Sequence, residues 1–311
     1  MNSPLVTIAI PAYKKAFLKE AVKSALNQTY SNIELIIVDD NSPEKISDLI
    51  QEFSDSRIKF YKNEENQGHS DPSKNWNICL NHANGEFFSL LCDDDVYAPT
   101  FIEEMLNLQN QFPNYTVFRS RVKTIDTKGQ VINWYPSAPT YETGLDYMYQ
   151  KMSGFRRQTI SEFFYNTKYI KKLGGFTNMP RAWTSDSLSI YKFSWEKGII
   201  SSQKCLCFFR ESTQNISSVF SDALDKRNAI FLYKEEINSY INSVSNIEQK
   251  KLLQDALYIS LFHEITNLCS MSSFFSIFRI ILKGQFPLKW IPFILFKKLS
   301  NTLQTISIFP F

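Results

Sequence analysis

Phe87-Phe88-Ser89-Leu90-Leu91-Cys92-Asp93-Asp94-Asp95-Val96-Tyr97 is an apolar run that ends in three consecutive carboxylates. The apolar part reads as a buried strand, and the acids mark its carboxyl end. Like charges at this spacing repel and resist joint ionisation unless a cation lies among them, and a divalent metal bridging phosphate oxygens is a common biological answer. The cluster therefore reads as a metal-diphosphate site. On these residues alone an acidic loop capping the next helix, with Pro99 in its first turn, is the alternative.

Upstream, Val6 to Ile10 is a β-branched strand stopped by Pro11, and Phe17 to Gln28 has helical spacing, with Leu18, Ala21, Val22, Ala25 and Leu26 on one face. Ile33 to Val38 is a near-continuous apolar strand that ends in Asp39-Asp40-Asn41-Ser42. Glu44 to Phe53 reads as a helix, Ile58 to Tyr61 as a strand and Ser73 to Asn84 as a helix. Continuous apolar strands belong to parallel sheets covered on both faces, and strand-helix alternation predicts right-handed βαβ units in an open α/β sheet. Ligands of such sheets bind beyond the carboxyl ends of the strands, so the acidic tips at Asp39-Asp40 and Asp93-Asp94-Asp95 are expected to share one crevice.

Downstream, a helix is expected from Pro99 to Gln111, mixed strand pieces from Val117 to Tyr149, a helix over Ser185 to Trp195 and a strand over Lys204 to Phe209 leading into Arg210. Leu173-Gly174-Gly175-Phe176 breaks the pattern, and from Asp222 onward the chain reads as helical. The expected division is one domain over residues 1–221 and a helical extension over 222–311.

Composition narrows the class. With 311 residues, 43% of them hydrophobic, the chain can bury a full core, and a net charge of +3 gives no bulk argument for nucleic acid. Five cysteines lack paired metal-ligand spacing and three histidines are scattered, which predicts reduced thiols, a cytosolic setting, no zinc site and no nucleophile-histidine pair. No secretory leader and no apolar run of about twenty residues is read. The last forty residues hold Arg279, Lys283, Lys289, Lys297 and Lys298 among Phe274, Phe278, Trp290, Phe293 and Phe296, with no acid. That composition suits a helix lying in an anionic membrane surface; a helical lid is the other reading.

In this order the motifs resemble glycosyltransferase family two enzymes of the GT-A fold, across roughly residues 4 to 220. The resemblance rests on Val6 to Tyr13, Asn27-Gln28-Thr29-Tyr30, Glu34 to Ser42, Asn66-Gln67-Gly68, Lys74-Asn75, Gly85-Glu86-Phe87 into the acidic cluster, and Gly174-Gly175-Phe176 followed by Asp186. It implies a Rossmann-like mixed sheet flanked by helices, with a nucleotide lying against Pro11, Ala12 and Tyr13 and Asp40 accepting from the base. Tyr13 would otherwise be loop packing and Asp40 a helix cap. The family's Asp-x-Asp-Asp aligns its first acid with Cys92, a departure from the common form. Asp94 is then the ligand of a Mn²⁺ or Mg²⁺ ion, Asp93 faces the donor sugar or ribose, and Asp95 is either a further ligand or a cap.

The implied reaction is inverting transfer with Asp186 as base, a role worth about 10²–10⁴ in rate. Ser185 stands where the family has a Glu that orients that base. Lys74, Arg181 and Arg210 are candidate phosphate contacts, and Arg156-Arg157 a candidate for a lipid diphosphate. The resulting expectation is a metal-dependent transferase at the inner face of the cell membrane, held there by its tail. It would move a sugar from a nucleotide donor to a glycan or polyprenyl-diphosphate-linked saccharide in capsule or O-antigen assembly. A non-catalytic glycosyltransferase-like docking subunit is the competing expectation, with Ser185 as its best argument. Nucleotidyl transfer fits less well, because Pro11-Ala12-Tyr13-Lys14-Lys15 is not a glycine-rich triphosphate loop.

Overall fold

A computed structural model describes residues 3–212 and 223–270. In chain order the elements begin with β1 (Val6–Ala12), α1 (Leu18–Leu26), β2 (Ile33–Asp39), α2 (Ile46–Ile50), β3 (Ile58–Lys62), α3 (Ser73–His82), β4 (Phe87–Leu90), β5 (Val96–Tyr97) and α4 (Phe101–Gln111). They continue with β6 (Val117–Ile125), β7 (Val131–Trp134), β8 (Tyr141–Glu142), α5 (Gly144–Met152), β9 (Phe163–Asn166), α6 (Thr167–Lys172), α7 (Ser185–Ser194) and β10 (Ile199–Arg210). Two long helices follow, α8 (Ala223–Ser243) and α9 (Ile247–Ser270). By chain contacts the molecule divides into Met1–Lys151 with Phe155–Asn215, and Met152–Gly154 with Ile216–Phe311.

The first unit is built on one ten-stranded sheet ordered β3-β2-β1-β4-β9-β6-β10-β5, with β7 on β6 and β8 on β10. β3, β2, β1 and β4 are parallel, as alternation predicts. Every residue of β2 is buried, which is why its hydrophobicity does not alternate. On α1 the buried residues are Leu18, Ala21, Val22 and Ala25. The second half differs: β9 enters antiparallel between β4 and β6, and β10 runs parallel to β6.

Several boundaries move. β1 continues through Pro11 to Ala12, because pairing with β4 ends at Ala9↔Leu90 and the missing proline N–H has no acceptor to forgo there. α2 is half the expected helix. β10 covers Ile199–Arg210 rather than Lys204 to Phe209; its polar stretch Ser201 to Lys204 includes register shifts against β6, which disguise the strand period. The strand β9 was not anticipated at all.

In the second unit, α8 buries Ala229, Ile230, Tyr233, Ile237 and Ile241, and α9 buries Leu253, Ala256, Leu257, Leu261 and Ile265. The three- and four-residue spacing is that of an amphipathic helix. Asn246 caps α9 by accepting from the N–H groups of Glu248 and Gln249, each at 3.0 Å. The basic aromatic tail beyond residue 270 lies outside the described residues. No described helix is long and apolar enough to cross a membrane.

Candidate active site

The carboxyl ends of β1, β2 and β4 are cross-linked by acids that accept from backbone N–H groups. Asp93 is 8% exposed, and its Oδ2 accepts from both Tyr13 N–H and Lys14 N–H at 2.8 Å. It therefore sets the shape of the loop after β1, with Oδ1 left over among the described residues. Ser42 donates to the Tyr13 carbonyl and Asp40 N–H to the Ala12 carbonyl at 2.9 Å, so the loop is held from both sides. Ala12 is buried while the Tyr13 ring is 40% exposed, a flat face free for stacking.

Asp40 is 3% exposed and its carboxylate is heavily engaged. Oδ1 accepts from Asn63 Nδ2 at 2.7 Å and Gln67 N–H at 2.9 Å, and Oδ2 from Gly68 N–H at 2.6 Å. A Cβ at residue 68 would lie 2.7 Å from Asp40 Oδ2, which gives the glycine of Asn66-Gln67-Gly68 its reason. Asp40 as it stands organises the loop over residues 63–68 beside the Tyr13 loop.

The three consecutive acids have separate jobs. Asp95 is fully buried; it accepts from Ser161 Oγ at 2.5 Å and from Arg210 N–H at 3.0 Å. It caps no helix. Asp94 is partly exposed, and its carboxylate accepts no hydrogen bond from another described residue. Burial, reinforced by the charge of Asp94, raises Asp93 to about 6 and holds Asp95 well above the usual range. Burial raises Asp94 too, opposed by the nearby charges of Lys14 and Arg210. The charge of Lys14, which has no assigned role in the motif, thus acts on both Asp93 and Asp94.

Ligand atoms of Cys92, Asp94 and Asp95 lie within 4.8 Å of one another. The Cys92 thiol is pushed well above its ordinary value by burial and by its acidic neighbours, so it stays a neutral, soft donor. Asp95 has both oxygens committed. Asp94, whose carboxylate accepts no hydrogen bond from another described residue, is the readiest hard ligand of this group, with Asp95 beside it, and such an oxygen-rich donor set fits Mg²⁺ or Mn²⁺ completed by substrate phosphates better than zinc.

Arg210 requires correction. Expected at phosphate, it is 1% exposed and its guanidinium bonds to Glu20 Oε2 at 2.6 Å, the Asp94 carbonyl at 2.9 Å and the Asp126 carbonyl at 3.1 Å, with its plane 4.3 Å from the Phe17 ring centroid. It is a buried clamp on the acidic turn. Arg156 is likewise taken, in a bidentate pair with Glu142 at 2.8 Å, whereas Arg157 is exposed beside the Tyr135 ring. Arg181 has φ +59° and donates to the carbonyl of His69, and its N–H bonds Ser70 O at 2.8 Å. Lys74 is exposed on α3, with only a 3.4 Å contact to Ser70 Oγ among the described residues.

Asp186 stands in the first turn of α7, half-buried. The glycine pair ahead of it has φ +81° and +71°, turning the chain so that Phe176 enters an aromatic cluster with Trp76, Phe88, Tyr165 and Phe193. Arg181, Ala182 and Thr184 then all hold positive φ, a run that L-residues adopt only when the surroundings impose it. Asp186 Oδ2 accepts from Gln158 Nε2 at 2.9 Å. Ser185 is fully buried, and its hydroxyl has no hydrogen-bond partner.

One short segment touches both the acids and Asp186. Ser161 Oγ accepts from Cys92 N–H at 3.0 Å and donates to Asp95, the Ser161 carbonyl accepts from Tyr97 Oη at 2.7 Å, and Gln158, three residues earlier, bonds Asp186. Neither Gln158 nor Ser161 was singled out from the sequence. Both are ordinary polar residues whose meaning depends on partners 28 and 66 positions away.

The chain is similar to known glycosyltransferases in sequence and in fold. An uncharacterized glycosyltransferase of Rickettsia typhi is 41% identical over 116 residues, 37% of this chain and 35% of that protein. The Escherichia coli UDP-Glc:alpha-D-GlcNAc-diphosphoundecaprenol beta-1,3-glucosyltransferase WfgD is 32% identical over 127 residues, 39% of this chain and 49% of that one. The aligned part is thus about a third to a half of the length of such curated relatives. Among solved structures, S. aureus TarS 1-349 in complex with UDP-GlcNAc superposes with a TM-score of 0.66 at 16% identity, covering 96% of this chain and 89% of that one. The Pyrobaculum calidifontis mannosyltransferase PcManGT, with GDP-Man and Mn²⁺, gives 0.58 at 13%, covering 97% and 88%. These likenesses establish the GT-A fold. The family model described as glycosyl transferase family 2 matches residues 7–170, more than half of the chain, and the chain belongs to that family.

Proposed function

We propose that this chain is an inverting hexosyl- or related glycosyltransferase that moves a sugar from a nucleotide-diphosphate donor to a hydroxyl of a lipid-linked saccharide, in assembly of a cell-surface polysaccharide such as capsule or O-antigen. The observation that carries the reading is the division of labour at the end of β4. Two acids are engaged in bracing the loops, and the carboxylate of the middle one, Asp94, accepts no hydrogen bond from another described residue in a crowded negative site. A Mn²⁺ or Mg²⁺ ion held there by Asp94 would supply charge stabilisation to a departing diphosphate.

The chain's own residues account for the rest. Tyr13 offers its exposed face to the base, Asp40 and Gly68 fix the loop against which the base lies, and Asp93 fixes the backbone of Tyr13 and Lys14. Lys74, exposed on α3, is a cation that phosphate can reach. Asp186 has one carboxylate oxygen bonded and the other uncommitted among the described residues, as a base that takes the acceptor's hydroxyl proton requires. WfgD acts, by its name, on a diphosphoundecaprenol-linked sugar, which supports a lipid-linked acceptor and work at the inner membrane face.

The test is a panel of nucleotide sugars titrated with and without Mn²⁺, reading nucleoside diphosphate release when a polyprenyl-diphosphate-linked saccharide is added. Asp94→Asn should reduce metal-dependent turnover by at least about 10²-fold, and Asp186→Asn should do the same while sparing donor binding. Normal transfer by the Asp186→Asn protein would refute the base assignment. Failure of every donor to bind would favour the docking-subunit reading instead.

A further inference from the structure

We infer that Gln158 is the positioning residue for Asp186, keyed in turn by the Tyr147 hydroxyl, and that this relay takes over the orienting task of an acid at position 185. The inference rests on Asp186 being the base.

The geometry is a three-member chain. Tyr147 Oη donates to Gln158 Oε1 at 2.7 Å, and Gln158 Nε2 donates to Asp186 Oδ2 at 2.9 Å. A primary amide has a donor end and an acceptor end, and turning it over would point its carbonyl at the carboxylate. With Tyr147 supplying an O–H to the oxygen end, only one orientation makes both bonds. Tyr147 is fully buried, and burial raises its hydroxyl far enough that it stays protonated and able to donate. Its ring is pinned by the Arg119 guanidinium, 5.5 Å from the centroid, and Arg119 is itself paired with Glu162 at 2.9 Å.

The backbone below Gln158 is equally restrained. Thr159 and Glu162 form a reciprocal capping box immediately after it, and Ser161 ties the same turn to Cys92 and Asp95. Gln158 therefore projects from a turn anchored to the metal-side acids. It holds one oxygen of Asp186 and leaves the other for the acceptor proton. Glu162 cannot do this, being bound to Arg119 and to Thr159 N–H. Ser185, the residue in the motif position, is buried with its hydroxyl unpartnered and contributes no bond to its neighbour.

A four-way cycle tests the relay with single-turnover transfer, donor binding and thermal midpoint as readouts, comparing the native protein, Gln158→Leu, Asp186→Asn and the double variant. Gln158→Leu should lower the rate of the transfer step by about 10–100-fold, the order expected for misplacing a reacting group, with donor affinity within about twofold of native. In the Asp186→Asn background the same change should have no further effect, because a residue that acts only through Asp186 has nothing left to orient. Tyr147→Phe should give a smaller loss than Gln158→Leu, since the amide remains but can turn. If Gln158→Leu transfers at the native rate, weakens donor binding instead, or costs a full second factor in the double variant, the relay is refuted while the base stands. If Asp186→Asn is fully active, the base reading itself has failed and the relay falls with it.

Discussion

The parallel half of the sheet, β1 to β4 with their loops, and the half built from β6, β9 and β10 solve the same problem by different means. In the first, acids are held mainly by backbone N–H groups of neighbouring loops: Asp93 by Tyr13 and Lys14, Asp40 by Gln67 and Gly68 with one side-chain bond from Asn63. In the second, charged and polar side chains hold one another: Arg119 with Glu162, Tyr147 with Gln158, Gln158 with Asp186. Backbone donors are present whatever the side chain, so the first scheme tolerates sequence change as long as the acid and the close-approach glycines remain. The second needs each partner.

The sharpest way to break the comparison is at the buried pair. Arg119→Met leaves the buried Glu162 carboxyl without its ion partner, and should destabilise the fold by about 3–5 kcal/mol; adding Glu162→Leu should restore much of that, since paired apolar replacements are often neutral. Denaturant unfolding of the single and double variants checks this, and equal loss in both would remove the pair from the account. Gly85→Ala should follow at about 1–3 kcal/mol, because a Cβ there would lie 2.5 Å from Thr7 N and 2.8 Å from Phe87 O, both backbone atoms with no room to yield.

Asp93→Ala removes the acceptor of two loop N–H groups and should cost about 1–3 kcal/mol, with donor KM rising more than kcat falls. A kcat effect alone would mean that Asp93 orders no loop. The pH dependence is gentler. Glu162 is raised by burial from 4.5 to about 7, against the pull of Arg119. A carboxyl raised on folding contributes stability that is whole below its unfolded value and is lost as pH rises through the folded one. Between about pH 4.5 and 7 the native protein should therefore lose thermal midpoint relative to Glu162→Gln, which cannot titrate. Parallel midpoint curves would place the Glu162 carboxyl in its ordinary range. Smallest of all, Ile132→Ser on the exposed strand β7 should change stability by no more than about 0.5 kcal/mol.

The amino-acid sequence alone determined the parallel half of this protein, because continuous burial leaves its mark residue by residue. Val6 to Ile10, Ile33 to Val38 and Phe87 to Leu91 could face apolar surroundings on both sides only as central strands, and acids at their ends could only lie at the sheet's edge. It also pointed to Asp94 and Asp186, which stand at the tip and the helix start where the motifs put them. Tertiary structure decided the rest. Arg210 reads as a free cation in the chain and is a buried clamp in the fold; Asp95 reads as a ligand or a cap, caps no helix and bonds Ser161; Gln158 reads as nothing and contacts Asp186. Burial periodicity is local and survives in one dimension, whereas the partner that fills or frees a charged group's last lone pair comes from a distant strand, and only folding brings the two together.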